Sequence, residues 1–268
     1  MSRKTGPESK VDRYYYNTLI IMIVGSNIIY HKKLPSTNTV AAEMLSGKPP
    51  PEGTLIYAYE QSKGKGQRGN SWLSEPGKNL TMSIILYPVF LGAGEQFMIS
   101  KAVSLAIAEL LDEHSASTSI KWPNDIYHKG DKIAGILIEN SLEGNKINNT
   151  LIGVGININQ TVFSPVLPNP VSLKIINGHD YDIEQMLSAF CRIFDTWYSR
   201  LRSGQLSYIN ERYLERLYRL NKPAEFTTTA DGCLQGMIKG VDGFGRIIIE
   251  LTGGELRTYG FKEIEFRD

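Results

Sequence analysis

Residues 121–139 read KWPNDIYHKGDKIAGILIE, with β-rich runs at 126–128 and 132–139 separated only by Lys129-Gly130-Asp131. So short a glycine-centred turn joins antiparallel strands, because a parallel crossover needs about a dozen residues or more. Glu143-Gly144-Asn145 then leads into another β-rich run at 146–157, so the centre of the chain is a meander. Working outward, residues 119–121, 81–86, 54–59 and 28–30 read as further strands. Ile99, Val103, Ala106 and Leu110 recur at helical spacing within 95–112. Residues 36–45 read as a helix with Ser36 or Thr37 as N-cap and Gly47 as terminator. Beyond the prolines at 165, 168 and 170, residues 183–202 and 205–220 predict two helices that Asn221-Lys222-Pro223 ends. The β-type runs 233–241, 246–251 and 256–259, parted by Asp242-Gly243 and Gly253-Gly254, predict a small β-barrel-like unit. The class is therefore α+β, with a largely antiparallel main sheet.

Composition bounds the function. The 268 residues hold 29 Lys and Arg against 28 Asp and Glu, a net charge of +1, which argues against a general nucleic-acid binder. Cys191 and Cys233 stand far apart and form no metal or disulfide pattern, which fits a reducing, cytoplasmic setting. The apolar run 19–24 is far shorter than the roughly 18 residues of a membrane span. It reads as a strand, or as untranslated leader if synthesis starts at Met22. Residues 1–26 are expected to be a partly disordered leader, 27–221 the main domain and 222–268 the terminal β unit.

Three stretches carry chemistry. Gly64-Lys65-Gly66-Gln67-Arg68-Gly69 fits G-x-G-x-x-G, but no helix pattern follows it, so a dinucleotide turn is a poor match. Asn70 stands where a Walker loop needs lysine. What the loop does offer is the positive charge of Lys65 and Arg68 beside a backbone open enough to approach an anion. In 132–139, strict alternation puts Lys132 on the side of Ala134, Ile136 and Ile138, a cation on an apolar face that must snorkel out or meet an anion. Gly153 and Gly155, inside a strand, imply a bulge or a close neighbour, either backbone or ligand.

In this order, Ser36-Thr37-Asn38, Gln61, the Gly64–Gly69 loop ending at Trp72, Lys121 to Asp125, Lys132 to Gly135 and Gly153 to Asn157 resemble the biotin protein ligases. The resemblance implies a class II aminoacyl-tRNA-synthetase-like catalytic domain with a mixed sheet and a C-terminal SH3-like barrel. It also implies a two-step reaction: biotin and ATP, with Mg²⁺, form biotinyl-5′-adenylate, and a lysine of a biotin carboxyl carrier domain takes the biotinyl group. By the same resemblance Ser36, Thr37, Asn38 and Gln61 contact biotin, with Gly64, Lys65, Gly66, Gln67, Gly135 and Gly153 around it. Lys132 is the catalytic lysine, with Lys65 and Arg68 at the carboxylate and phosphate. Asn124, Asn157 and Trp72, beside Arg68 and Lys132, serve the nucleotide, and Asp125 orients or deprotonates the incoming amine. No protein metal site, membrane contact or operator DNA is expected. The rival readings are a lipoate protein ligase and a non-catalytic biotin-responsive regulator.

Overall fold

The 121–139 hairpin lies at one end of a seven-stranded sheet in the computed structural model, which describes residues 22–114, 117–229 and 232–267, apart from the Arg68 side chain. The strands are β1 (Asn27–Leu34), β2 (Thr54–Gln61), β3 (Leu80–Leu86), β4 (Thr118–Lys121), β5 (Asp125–His128), β6 (Asp131–Glu143) and β7 (Lys146–Ile156). Their spatial order is β1-β2-β3-β7-β6-β5-β4, with β1 and β2 parallel and every other pair antiparallel. The sheet is thus mixed and largely antiparallel, as the short turns predict.

Both faces of the central strands are covered, which explains their near-continuous apolar sequence. Helix α2 (Phe97–Asp112) lays Ile99, Val103, Ala106 and Leu110 on one face, and α4 (Ile183–Arg202) and α5 (Leu206–Glu215) pack behind it. On the other face α1 (Thr37–Ser46) covers a smaller cluster of Leu34, Ala41, Ile56, Ala58, Ile85 and Leu151. A short helix, α3 (Leu173–Asn177), follows the proline-rich connection.

The terminal unit comprises β8 (Pro223–Thr228), β9 (Gly232–Val241), β10 (Ile247–Leu251), β11 (Leu256–Tyr259) and β12 (Ile264–Arg267), in the order β11-β10-β9-β8-β12. Among the described residues β11 and β12 do not pair with each other, so the five strands form an open sheet in which closure into the expected small barrel is not seen. Each edge strand has only four residues, and the chain turns between them at a single bridge, Phe261 to Ile264.

Two other expectations give way to tertiary pairing. The helix over 205–220 stops at Glu215, because Arg216 O and Tyr218 N hydrogen-bond the main chain of Ile120, and Arg219 and Asn221 take positive φ. The part of the 19–24 run that is described is a turn and not a strand: Asp195 of α4 accepts hydrogen bonds from Ile23 N (2.7 Å) and Val24 N (2.9 Å). The rest of the expected 1–26 leader, up to residue 21, lies outside the described residues.

Buried groups tie the two sheets. Trp122 Nε1 donates to Gly245 O at 2.8 Å. Lys101, almost wholly buried, donates to Asn210 Oδ1 at 2.7 Å and reaches Val241 O. Lys121 places its ammonium 4.8 Å from the Tyr127 ring and 5.0 Å from that of Phe266 on β12, a cation–π contact across the junction.

Candidate active site

The cavity lies on the α1 face of the main sheet, encloses about 170 Å³, and takes its floor from β6 and β7. Its glycines are spaces for side chains. A Cβ at Gly153 would stand 2.3 Å from Asn38 Oδ1, and one at Gly155 would stand 2.3 Å from Trp72 Cε2. The Trp72 ring also approaches Gly135, the register partner of Gly155. A close neighbour, and not a bulge, therefore accounts for the two strand glycines.

At one end α1 begins. The Ser36 side chain caps nothing, but Thr37 donates from its main-chain N to Gln61 Oε1 at 2.7 Å, which fixes the Gln61 amide with its Nε2 away from Thr37. Ser83 of β3 lies 2.7 Å from Thr37 Oγ1 and bonds Asn38 Oδ1, while Asn38 Nδ2 donates to Glu139 Oε2 at 3.1 Å. These groups build a polar wall in an otherwise apolar sheet.

At the other end is Lys132. Strict alternation fails here, because the β5–β6 register skips Ile133: Tyr127 faces Lys132 but Ile126 faces Ala134. A bulge turns consecutive residues to one side. Ile133 and Ala134 both enter the main core, which moves Lys132 to the cavity side with Gly135, whose Cβ position lies 3.5 Å from Lys132 Nζ. Lys132 Nζ approaches Asp125 Oδ1 at 2.7 Å without an aligned hydrogen bond, and the two side chains are 31% and 21% exposed. Such a pair adds little stability, so its consequence is position. The lysine main chain is pinned as well: its N donates to Asn169 O and its O accepts from Val171 N.

Between the two ends the loop folds back on itself through Trp72 N to Gly64 O at 2.9 Å and Gly66 N to Asn70 O at 2.7 Å, with a 3-10 turn at Gln67–Gly69. Lys65, Gly66, Gln67 and Trp72 line the cavity, whereas Gly64 lines a neighbouring cleft with Lys63 and Glu139. Trp72 Nε1 is buried without a hydrogen-bond partner, a donor in want of an acceptor.

The structure therefore gathers Ser36, Thr37, Asn38, Gln61, Asn124, Asp125, Lys132, Gly135 and Gly153 around one space. Asn124 spends its amide on Ile136 O at 2.7 Å. Asn157 is not among the lining residues; it is buried, and its amide donates to Val171 O at 3.0 Å. The sequence reading left out Ser83 and Glu139 as site residues, although a serine at the centre of the otherwise largely apolar run LTMSIIL was a visible signal. Met82, Ile136 and Val154 line the apolar floor and carried no signal apart from core residues.

The family described as the biotin/lipoate A/B protein ligase family matches residues 30–157. The bifunctional ligase/repressor BirA of Bacillus subtilis (strain 168) is 31% identical over 243 residues, covering 88% of this chain and 73% of that protein. A biotin--[acetyl-CoA-carboxylase] ligase of Paracoccus denitrificans is 31% identical over 230 residues, 82% of this chain and 94% of that one. A biotin protein ligase from Aquifex aeolicus, solved in complex with biotin and ATP, shares the fold with a TM-score of 0.75 and 24% identity, over 90% of this chain and 98% of that one.

Proposed function

The chain belongs to the biotin protein ligase family, and from that membership we propose how its own residues divide the reaction. It is a biotin ligase that uses ATP. In the first step a carboxylate oxygen of biotin attacks the α-phosphorus of ATP, the bond to the bridging oxygen breaks, and pyrophosphate leaves with the electron pair. In the second, an uncharged carrier lysine attacks the mixed anhydride, and AMP departs as the amide forms.

The observation that carries the assignment is the two-ended cavity: neutral polar groups of Thr37 and Gln61 at one end, and Lys132 with Asp125 at the other. The first end suits the ureido ring of biotin, and the apolar floor suits its body. The lysine end suits the carboxylate and α-phosphate, where fixed positive charge stabilises the transition state. The unpartnered Trp72 indole N–H, with Lys65, supplies donors to the same anions. Arg68 belongs to the same loop in sequence, and its proposed part, a charge at the phosphate, is the one the family resemblance implies. Asn124 and Trp72 frame the nucleotide end, and Asn157 serves it indirectly by holding the 169–171 segment that pins Lys132. Asp125 holds the Lys132 ammonium before substrate arrives and then faces the carrier amine as orienter or base.

Mg²⁺ would arrive with the triphosphate. Among the described residues no group of three or more His, Cys, Asp or Glu could hold a metal alone, so phosphate oxygens would provide much of its coordination. Residues 27–221 constitute the catalytic domain in this proposal, and 222–268 an SH3-like module that helps to seat the carrier. No described helix is long and apolar enough to cross a membrane, and the reducing cytoplasm is the proposed location.

The test is pyrophosphate release with biotin or lipoate as the acid. Release with biotin alone is expected, and Lys132→Ala should slow it by roughly 10²–10³-fold with thermal unfolding little changed. Lipoate-dependent release would reassign the substrate, and near-normal release by a folded Lys132→Ala would displace Lys132 from catalysis.

A further inference from the structure

We propose that Glu139, remote from the reacting atoms, is a positioning residue that fixes the direction of a hydrogen-bond chain and thereby makes the Thr37 hydroxyl an acceptor toward the ligand. The inference rests on the biotin reading of this cavity. The chain runs Glu139, Asn38, Ser83, Thr37, and each link has one allowed polarity. A carboxylate only accepts, so the amide nitrogen of Asn38 must face Glu139 and its oxygen must face Ser83. That oxygen cannot donate, so the single Ser83 hydroxyl proton is committed to it. The 2.7 Å contact between Ser83 and Thr37 then needs the Thr37 proton. Gln61 Oε1 can also accept this proton, but at 3.2 Å from Thr37 Oγ1 it is the more distant acceptor, and the 2.7 Å contact with Ser83 takes the proton first. Thr37 is left with open lone pairs toward the cavity.

Asn38 has nowhere else to sit. Its amide fills the space above Gly153, and the residue is 4% exposed. Turning the amide over would set oxygen against the Glu139 carboxylate. It would also reverse every later link: Ser83 would donate to Thr37 and occupy one of its lone pairs, and the Thr37 proton would turn outward, toward Gln61 Oε1 and the cavity. The ureido ring of biotin offers N–H donors beside its carbonyl oxygen, so an accepting Thr37 binds it and a donating Thr37 opposes it. The Gln61 Nε2, facing away from Thr37, is the complementary donor.

Glu139→Gln removes the bias, because a glutamine side chain satisfies either Asn38 orientation. The expected result is a KM for biotin raised about five- to tenfold, with KM for ATP and kcat close to wild type. Asn38→Asp alone sets two carboxylates together and should weaken biotin further. The double variant Asn38→Asp with Glu139→Gln restores the polarity, because the introduced glutamine amide donates to the introduced carboxylate while that carboxylate still accepts from Ser83. Its biotin KM should return to within about twofold of wild type. Steady-state pyrophosphate release, with thermal unfolding as the folding check, reads all four proteins. An unchanged biotin KM in Glu139→Gln, or a folded double variant that does not recover, overturns the proposal while the ligase reading stands. A wild-type protein that shows no biotin-dependent release removes the ligase reading, and this inference with it.

Discussion

Gly155→Ala tests the cavity floor with one methyl group. The added carbon would lie 2.3, 2.6 and 2.7 Å from Trp72 Cε2, Cζ2 and Cδ2. Carbon atoms in contact prefer about 3.5–4.0 Å, so the indole must withdraw by more than about 1 Å. A rigid ring on a loop closed by Trp72 N to Gly64 O cannot do so alone, and the loop moves with it. Overpacking of this kind costs about 1–3 kcal/mol, or a fall in Tm of about 2–12 °C for a chain of this size. Biotin-dependent pyrophosphate release should drop with it. Gly240→Ala is the control: its Cβ would meet Leu214 Cδ2 at 3.8 Å, an ordinary contact, and should cost no more than about 0.5 kcal/mol. Calorimetry on Gly155→Ala, Trp72→Ala and the pair completes the argument, since removing the indole removes the collision and the two costs cannot add. Additive costs, or a Gly155→Ala protein as stable and active as Gly240→Ala, would show that Trp72 does not occupy this place.

Stability should also depend on the proton of Lys101, whose pKa burial lowers from 10.5 to about 8, with Asp242 opposing. Below about pH 8 both folded and unfolded chains hold the proton, and the cost of burying the ammonium is fully present; between about 8 and 10.5 only the unfolded chain keeps it, so stability rises with pH. The gain relative to Lys101→Met should reach at most roughly 3 kcal/mol, and parallel urea-unfolding profiles for the two proteins across this range would refute it. In the loop at 63–70, the amides should exchange more slowly once biotin and ATP are added, because Lys63, Lys65 and Arg68 repel one another until an anion arrives. Strong protection without ligand would mean a preformed site.

The sequence spoke most clearly where local chemistry decides. Gly130 and Gly144 take positive φ in the hairpin turns, and those turns fixed the antiparallel meander of β5, β6 and β7. The helical spacing of Ile99, Val103, Ala106 and Leu110 likewise gave α2 its buried face. What could not be read depended on partners distant in the chain. The bulge at Ile133, which moves Lys132 to the cavity side, follows from register with β5, and no residue within 132–139 announces it. Helix α5 stops early because Ile120, far earlier in the chain, takes its backbone groups. The terminal strand β12 was missed because IEFR is short and ends the chain's last turn, yet Phe266 packs against Phe226 and near Lys121. Glycines at 153 and 155 signalled a close approach, but only the fold names Asn38 and Trp72 as what approaches.

The most direct measurement of the central claim is the mass of a purified biotin carboxyl carrier domain after incubation with this protein, biotin and MgATP. The expected result is a gain of one biotinyl group on a single carrier lysine, dependent on both substrates, and its loss when Lys132 is replaced by alanine. An unmodified carrier, under conditions where a known biotin ligase modifies it fully, would contradict the account.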